Sequence, residues 1–138
     1  MTAPASRTLS ILSLVVGLLG GCAALDVRPP EEQVKGRATE FYGALISRNF
    51  EKAMTYTTPS FQAGNTVYKL KAEYGGAPMW KGFEVNEVAC EISEVRSLCE
   101  VFVVVRIAFP EFPVKDVPTR IQSTWIDVGG NWYLYQKL

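Results

Sequence analysis

The chain has 138 residues, of which 48% are hydrophobic, and its 14 basic residues are matched by 14 acidic ones. That length suits one domain with a real core, and the balanced charge offers no basic face for nucleic acid. Histidine is absent, which excludes Ser-His-Asp and Cys-His catalysis and most zinc or non-haem iron sites.

The first element is an apolar leader. Residues 1–8 carry Arg7 and the amino terminus as charges, and residues 9–19 are almost wholly apolar, followed by Gly20 and Gly21. A basic start, an apolar stretch of about 7–15 residues and small residues at its end describe a secretory signal. The stretch is short of the roughly 20 apolar residues that a membrane span requires, and Asp26 interrupts any continuation. Leu19-Gly20-Gly21-Cys22 resembles the lipobox of bacterial lipoproteins. The resemblance implies cleavage before Cys22, a diacylglyceryl group on its sulfur and, usually, an acyl group on its freed amine. Several acyl chains hold a protein stably at a membrane where one does not. Ala23 rather than aspartate after the cysteine implies, by the same resemblance, the outer membrane of a two-membrane cell with the protein facing the periplasm. The expected organisation is a signal peptide at 1–21, a lipidated tether at 22–28 and a folded domain at 29–138.

Pro29-Pro30 followed by Glu31 and Glu32 predicts a helix start, with φ fixed and acids in the first turn. Val34, Ala38, Phe41, Tyr42, Leu45 and Ile46 then form an amphipathic stripe ending near Asn49. Phe50, Ala53 and Met54 predict a short second helix stopped by Thr57, Thr58 and Pro59. Val67, Leu70 and Tyr74 predict a third, closed by Gly75-Gly76. From Met79 the period changes to two, predicting strands near 80–93, 98–109, 116–128 and 132–138. "FPEFP" is a proline-bounded connection and Gly129-Gly130 a hairpin turn. Phe83 and Val85 are out of phase with Val88 and Cys90, which predicts a bulge in the first strand. Helices first and strands afterwards is an α+β order, with helices packed on one face of an antiparallel sheet.

With Cys22 assigned to lipid, Cys90 and Cys99 remain as a pair in an oxidising compartment. Val88, Cys90 and Ile92 alternate with Glu87, Ala89, Glu91 and Ser93, while Cys99, Val101, Val103, Val105 and Ile107 share one face. A turn centred on Glu94-Val95 sets Cys90 opposite Cys99, close enough for a cross-strand disulfide. Two buried free thiols are the alternative. A helix through Val85, Val88, Ile92 and Val95 also fits the spacing, but it would stack Glu84, Glu87, Glu91 and Glu94 on one face, where like charges repel.

"EQVKGRATEFYGALISRNFEKAMTYTTPSF" together with the hairpin "TWIDVGGNWYLY" resembles the NTF2-like, or cystatin-like cone, superfamily. The resemblance implies a curved sheet wrapped around the long helix and a conical cavity, and it implies no single function. Its members include isomerases, dehydratases, transport factors, secretion-system subunits and many lipoproteins. The enzymes among them join an acid to a tyrosine or histidine inside the cone. Here, without histidine, an acid such as Asp127 with a tyrosine such as Tyr42, Tyr56 or Tyr135 would have to supply such a pair. Asp127 beside the glycine turn is expected to face water, and Tyr42 on the helix stripe to be core. Glu84, Glu87, Glu91 and Glu94 read as a solvated strand face rather than a calcium loop, which needs ligands on a tight glycine-bearing turn.

No cofactor or metal is expected. Trp80, Trp125, Trp132, Tyr133 and Tyr135 pack the sheet onto the helix or line a contact surface. Phe109 and Phe112, held out of a central strand by prolines, need burial or a partner. These two, with Trp80 and Tyr42, are the candidate contacts for a partner or ligand. The expected role is that of a non-catalytic, lipid-anchored envelope protein that binds another envelope protein or assists assembly. A carrier or sensor of a small apolar ligand in the cone is the alternative, and an acid-and-tyrosine isomerase or dehydratase ranks last.

Overall fold

A computed structural model describes residues 26–109, 111, 113 and 116–137. The leader, Cys22 and Phe112 lie outside the described residues. Helix α1 spans Pro30–Ile46, with Pro30 in its first turn beside Glu31 and Glu32. The Glu32 and Gln33 amides donate to the Pro29 carbonyl at 3.0 and 3.1 Å, which starts the helix without a side-chain cap. Its apolar stripe of Val34, Ala38, Phe41, Tyr42 and Leu45 is completely buried. Burying each of the larger of these side chains contributes on the order of 2 kcal/mol.

The helix stops earlier than its apolar spacing suggests. Arg48 adopts a φ of 59°, and the amides of Arg48 and Asn49 turn back to the carbonyls of Leu45 and Ala44 at 3.1 and 2.8 Å. This left-handed closure satisfies the final carbonyls. It also frees the Asn49 side chain to cap helix α2, Phe50–Met54, by accepting from the Lys52 amide at 3.0 Å.

The pair Thr58-Pro59, expected as a stop, is instead a start. Thr58 accepts from the Phe61 amide and Pro59 occupies the first turn of helix α3, Pro59–Gly64. This is the arrangement favoured by a threonine cap ahead of a proline. Helix α4 follows at Val67–Tyr74, and a short 3₁₀ turn at Ala77–Met79 leads into the sheet.

The strands are β1, Trp80–Ile92, β2, Ser97–Ile107, β3, Val117–Val128, and β4, Asn131–Leu134. They form one antiparallel sheet in the order β1-β2-β3-β4. Strand β1 slips register between Trp80 and Gly82 and again between Val85 and Glu87, the second slip being where the change of phase predicts a bulge. The alternating residues Cys99, Val101, Val103 and Val105 are fully buried against α1. Strand β4 is shorter than expected and ends at Leu134. Its outer edge is covered by the link between α2 and α3, where the Leu134 amide donates to the Tyr56 carbonyl at 2.7 Å and the Leu134 carbonyl accepts from the Thr58 amide at 3.2 Å.

Two turns and one helix start share an end of the domain. The β1–β2 turn follows Ile92, and β3, antiparallel to β2, places Leu98 opposite Ile126 and so ends beside that turn. Gly129 and Gly130 then close the β3–β4 hairpin with φ of 63° and 85°, a geometry that glycine adopts without strain. Arg28 and Gln33 border the same recess as Gly130 and Asn131, which sets the start of α1 at this end as well. At the other end, Tyr42 packs on Trp80 and Phe83, with ring centroids 6.3 and 5.9 Å away.

Candidate functional site

The inner, concave face of the sheet is filled by side chains. Phe41 meets Tyr74 and Trp125 edge-on at 5.5 and 6.1 Å, and Phe61, Leu45 and Leu70 complete a core without exposed area. The polar atoms in this layer are partnered. The Tyr42 hydroxyl donates to Ser123 Oγ at 3.3 Å and the Trp125 indole Nε1 donates to the same oxygen at 3.2 Å. Burial pushes the Tyr42 hydroxyl above its ordinary pKa, an effect the Ser123 contact partly opposes. Tyr42 is therefore a core residue, as its place on the helix stripe suggests, and as such it cannot serve as a surface contact. Trp80 is half-buried and packs against the same core.

At the sheet edge beyond the end of β4, Glu73, Tyr74, Ser123 and Gln136 border a recess of ≈ 370 Å³ that Thr124 and Tyr135 share with the outer face. With its amide oriented to satisfy both neighbours, Gln136 donates to the Glu73 carboxylate at 2.8 Å and accepts from the Tyr74 hydroxyl at 3.1 Å. Burial raises the Glu73 carboxyl above its ordinary value, with the Lys69 charge acting the other way. Burial likewise raises the Tyr74 hydroxyl.

An acid and a tyrosine do meet: the tyrosine is Tyr56, one of the three the sequence singles out, but the acid is Glu40 and not Asp127. The Tyr56 hydroxyl donates to Glu40 Oε2 at 2.6 Å. The Arg37 guanidinium lies 5.1 Å from the Tyr56 ring centre and 5.2 Å from that of Tyr133. Its buried Nε has no hydrogen-bond partner among the described residues, and the two aromatic faces lie within cation–π range of the guanidinium. Burial, then the hydrogen bond and charge of Glu40, push the Tyr56 hydroxyl up to about 12. Glu40 is exposed and borders a recess of ≈ 270 Å³ near Arg28 and Trp132. Asp127 is exposed and accepts from the Gly130 amide at 2.9 Å, so it serves the hairpin turn.

A recess larger than either of these lies on the outer face of the sheet. It is a groove of ≈ 550 Å³ whose lining includes Val95, Leu98, Thr124, Ile126 and Tyr135. Leu98 and Ile126 face each other across the β2–β3 ladder. Beyond them Glu100 is held by the Thr124 hydroxyl at 2.8 Å and by the Gln122 amide at 3.0 Å. Farther along, the Arg120 guanidinium covers the Phe102 ring at 4.0 Å. The outer face thus passes from an apolar floor at the turn end to a charged cover at the other end. Sequence reasoning misses this groove because Leu98 and Ile126 come from two strands and Tyr135 from the residue after a third, and their shared face appears only with the register. Phe109 is partly exposed beyond β2. Cys90 and Cys99 are joined by a disulfide at the turn end of the β1–β2 hairpin, with sulfurs 2.04 Å apart. No group of three or more metal-ligating side chains is found among the described residues.

No family model matches the sequence, and no curated protein matches it. The fold does have solved counterparts. A SEC-C motif containing protein from Psychrobacter arcticus superposes with a TM-score of 0.58 at 18% identity, over 80% of this chain and 63% of that one. This chain therefore spans less than two thirds of that protein's length. A Campylobacter jejuni protein provisionally named an NTF2-like transpeptidase gives a TM-score of 0.51 at 16% identity, over 80% of this chain and 100% of that one. A Streptomyces avermitilis protein provisionally named a dehydratase of the NTF2-like family also gives 0.51 at 16% identity, over 75% of this chain and 89% of that one. Helices followed by a curved four-stranded antiparallel sheet, shared with these proteins, make this an α+β cone of the NTF2-like fold. At such identities the likeness is one of fold, and the fold carries many functions.

Proposed function

We propose that the protein is a lipoprotein, acylated at Cys22 and held at the outer membrane facing the periplasm, whose NTF2-like domain is a non-catalytic module for binding another envelope protein. The observation that carries the binding role is the distribution of space. The inner face, where a ligand or substrate would enter a cone, is occupied by Tyr42, Trp125 and Phe41, while a groove of ≈ 550 Å³ lies outside, over Leu98, Ile126 and Tyr135. Apolar floors with polar rims are what protein partners cover. The Glu40–Tyr56 pair gives little support to an isomerase or dehydratase. A tyrosine pushed up to about 12 is far from the near-neutral pKa at which acid–base catalysis is efficient. Phe109 offers a second contact at the far end of β2.

Two measurements test the reading. Labelled palmitate should enter the protein and be lost with Cys22→Ser, and label retained in that variant would remove the anchor. A photo-crosslinking residue at Tyr135 in native membranes should trap a discrete partner that the same residue at exposed Glu51 does not. Identical products from both positions would remove the groove from the binding role. A small molecule retained in native mass spectrometry would favour the carrier reading instead.

A further inference from the structure

At the end of the domain where α1 begins, Val27, Ile92, Val95 and Val128 are 92, 54, 96 and 41% exposed. One such residue on a surface is ordinary. Here they come from three separate segments that lie toward one end: the entry to α1, the end of β1 with the turn after it, and the end of β3. The chain that precedes this end decides what covers it. Asp26 is held against the domain, since the Gln33 side-chain amide donates to the carbonyls of Asp26 and Arg28 at 3.3 and 2.6 Å. Arg28 in turn pairs with the Asp26 carboxylate at 2.6 Å. Cys22 lies four residues earlier, so whatever path the chain takes its α-carbon is within about 14 Å of that of Asp26, at roughly 3.5 Å per residue.

We propose that this end of the domain is a lipid-docking surface, on which Val27 and Val95 enter the headgroup region of the bilayer with Ile92 and Val128 beside them. The proposal rests on acylation of Cys22, which supplies what a few valines alone lack. A short tether converts weak contact into an intramolecular event at high effective concentration. The charge at this end selects the lipid. Asp26, Glu31, Glu32, Glu91, Glu94 and Asp127 outnumber Arg28, Lys35 and Arg96, so the surface suits zwitterionic headgroups and is repelled by anionic ones. The outer-face groove, which Val95 also borders, then opens beside the bilayer.

The test uses the full lipidated protein, with isoleucine and valine methyls labelled, in phosphatidylcholine nanodiscs containing a gadolinium-chelating headgroup lipid. Methyl signals of Val27, Ile92, Val95 and Val128 should broaden several-fold more than those of Ile107 and Val117, which pair at the opposite end of the sheet. Equal broadening at both ends, or greater broadening at Ile107 and Val117, overturns the proposal. The double variant Val27→Asp with Val95→Asp should stay in the discs through its anchor and lose the contrast. A contrast that survives both substitutions also overturns it. Mass spectrometry of the same preparation separates this from failure of the anchor, because a protein without diacylglyceryl on Cys22 removes the premise directly.

Discussion

Reducing the Cys90–Cys99 bridge should destabilise the domain by an amount that follows from its span. The cysteines are nine residues apart in sequence, and closing a loop of about 10 residues in the unfolded chain removes entropy equivalent to about 2.7 kcal/mol at room temperature. For a domain of this size that corresponds to a fall in Tm of about 10 °C. Reduction is a cleaner perturbation than substitution, because it leaves both sulfur atoms in place beside the buried ladder of Val101 and Val103 and opens no cavity of a whole side chain. The assay is thermal unfolding followed by circular dichroism, with and without dithiothreitol. Thiols are counted in parallel on the denatured, unreduced protein. The reasoning is refuted if two free thiols are found before reduction, or if the reduced protein melts within about 2 °C of the oxidised one, the latter meaning that the hairpin is already formed in the unfolded chain.

Other expectations follow from single residues. Arg48→Gly should stabilise the protein by about 1 kcal/mol in denaturant titration, because Arg48 sits at a φ of 59° where a side chain is strained and glycine is not. Ser123→Ala should cost about 2 kcal/mol by the same measurement, since it strands both the Tyr42 hydroxyl and the Trp125 indole N–H in the core. Tyr42→Phe should cost less, because it removes a donor rather than an acceptor shared by two. Alkaline pH should unfold the domain in a defined window. Native Tyr56 keeps its proton up to about 12 where the unfolded chain releases it near 10.0, so its contribution is whole below pH 10 and is lost as pH rises toward 12. Tyr56→Phe should flatten part of that loss in a pH series of melting curves.

The parts of the fold legible in the sequence are those set by local period and local chemistry. The change from helical spacing to alternation at Met79 marks where the sheet begins, and the period is clearest in β2, where Cys99, Val101, Val103 and Val105 turn inward and are buried. Cys90 opposite Cys99 follows from a short turn and the strand pleat. Helix α3 was hidden because Thr58-Pro59 can end one helix or begin another, and only the Thr58 side chain bonded to the Phe61 amide distinguishes them. The end of β4 was hidden for a different reason. Tyr135 still donates to the Thr124 carbonyl at 2.8 Å, but Gln136 is drawn to Glu73 and Tyr74 on α4, a contact between residues far apart in sequence. The Glu40–Tyr56–Arg37 cluster was illegible because its charged members lie on the polar side of α1, where they read as solvated.

The location of the candidate surface follows from how this chain fills its cone. A long helix laid in a curved sheet leaves a cavity only if the residues facing it are small. Here they are Phe41, Tyr42, Trp125 and Phe61, all without exposed area, and the one serine among them is occupied by two donors. The volume that a cone could give to a ligand is thus spent on stability, and exposed apolar surface lies outside it, the floor of the β2–β3 groove and the two turns included. The groove and the turn residues meet at the end from which the proposed lipid tether leaves. If both proposals hold, binding and anchoring are physically coupled: a partner seated over Leu98 and Ile126 would contact the domain next to the proposed lipid-docking surface. A substitution at Val95, which borders both, should change partner capture at Tyr135 and contact with lipid together, whereas one at exposed Glu51 should change neither.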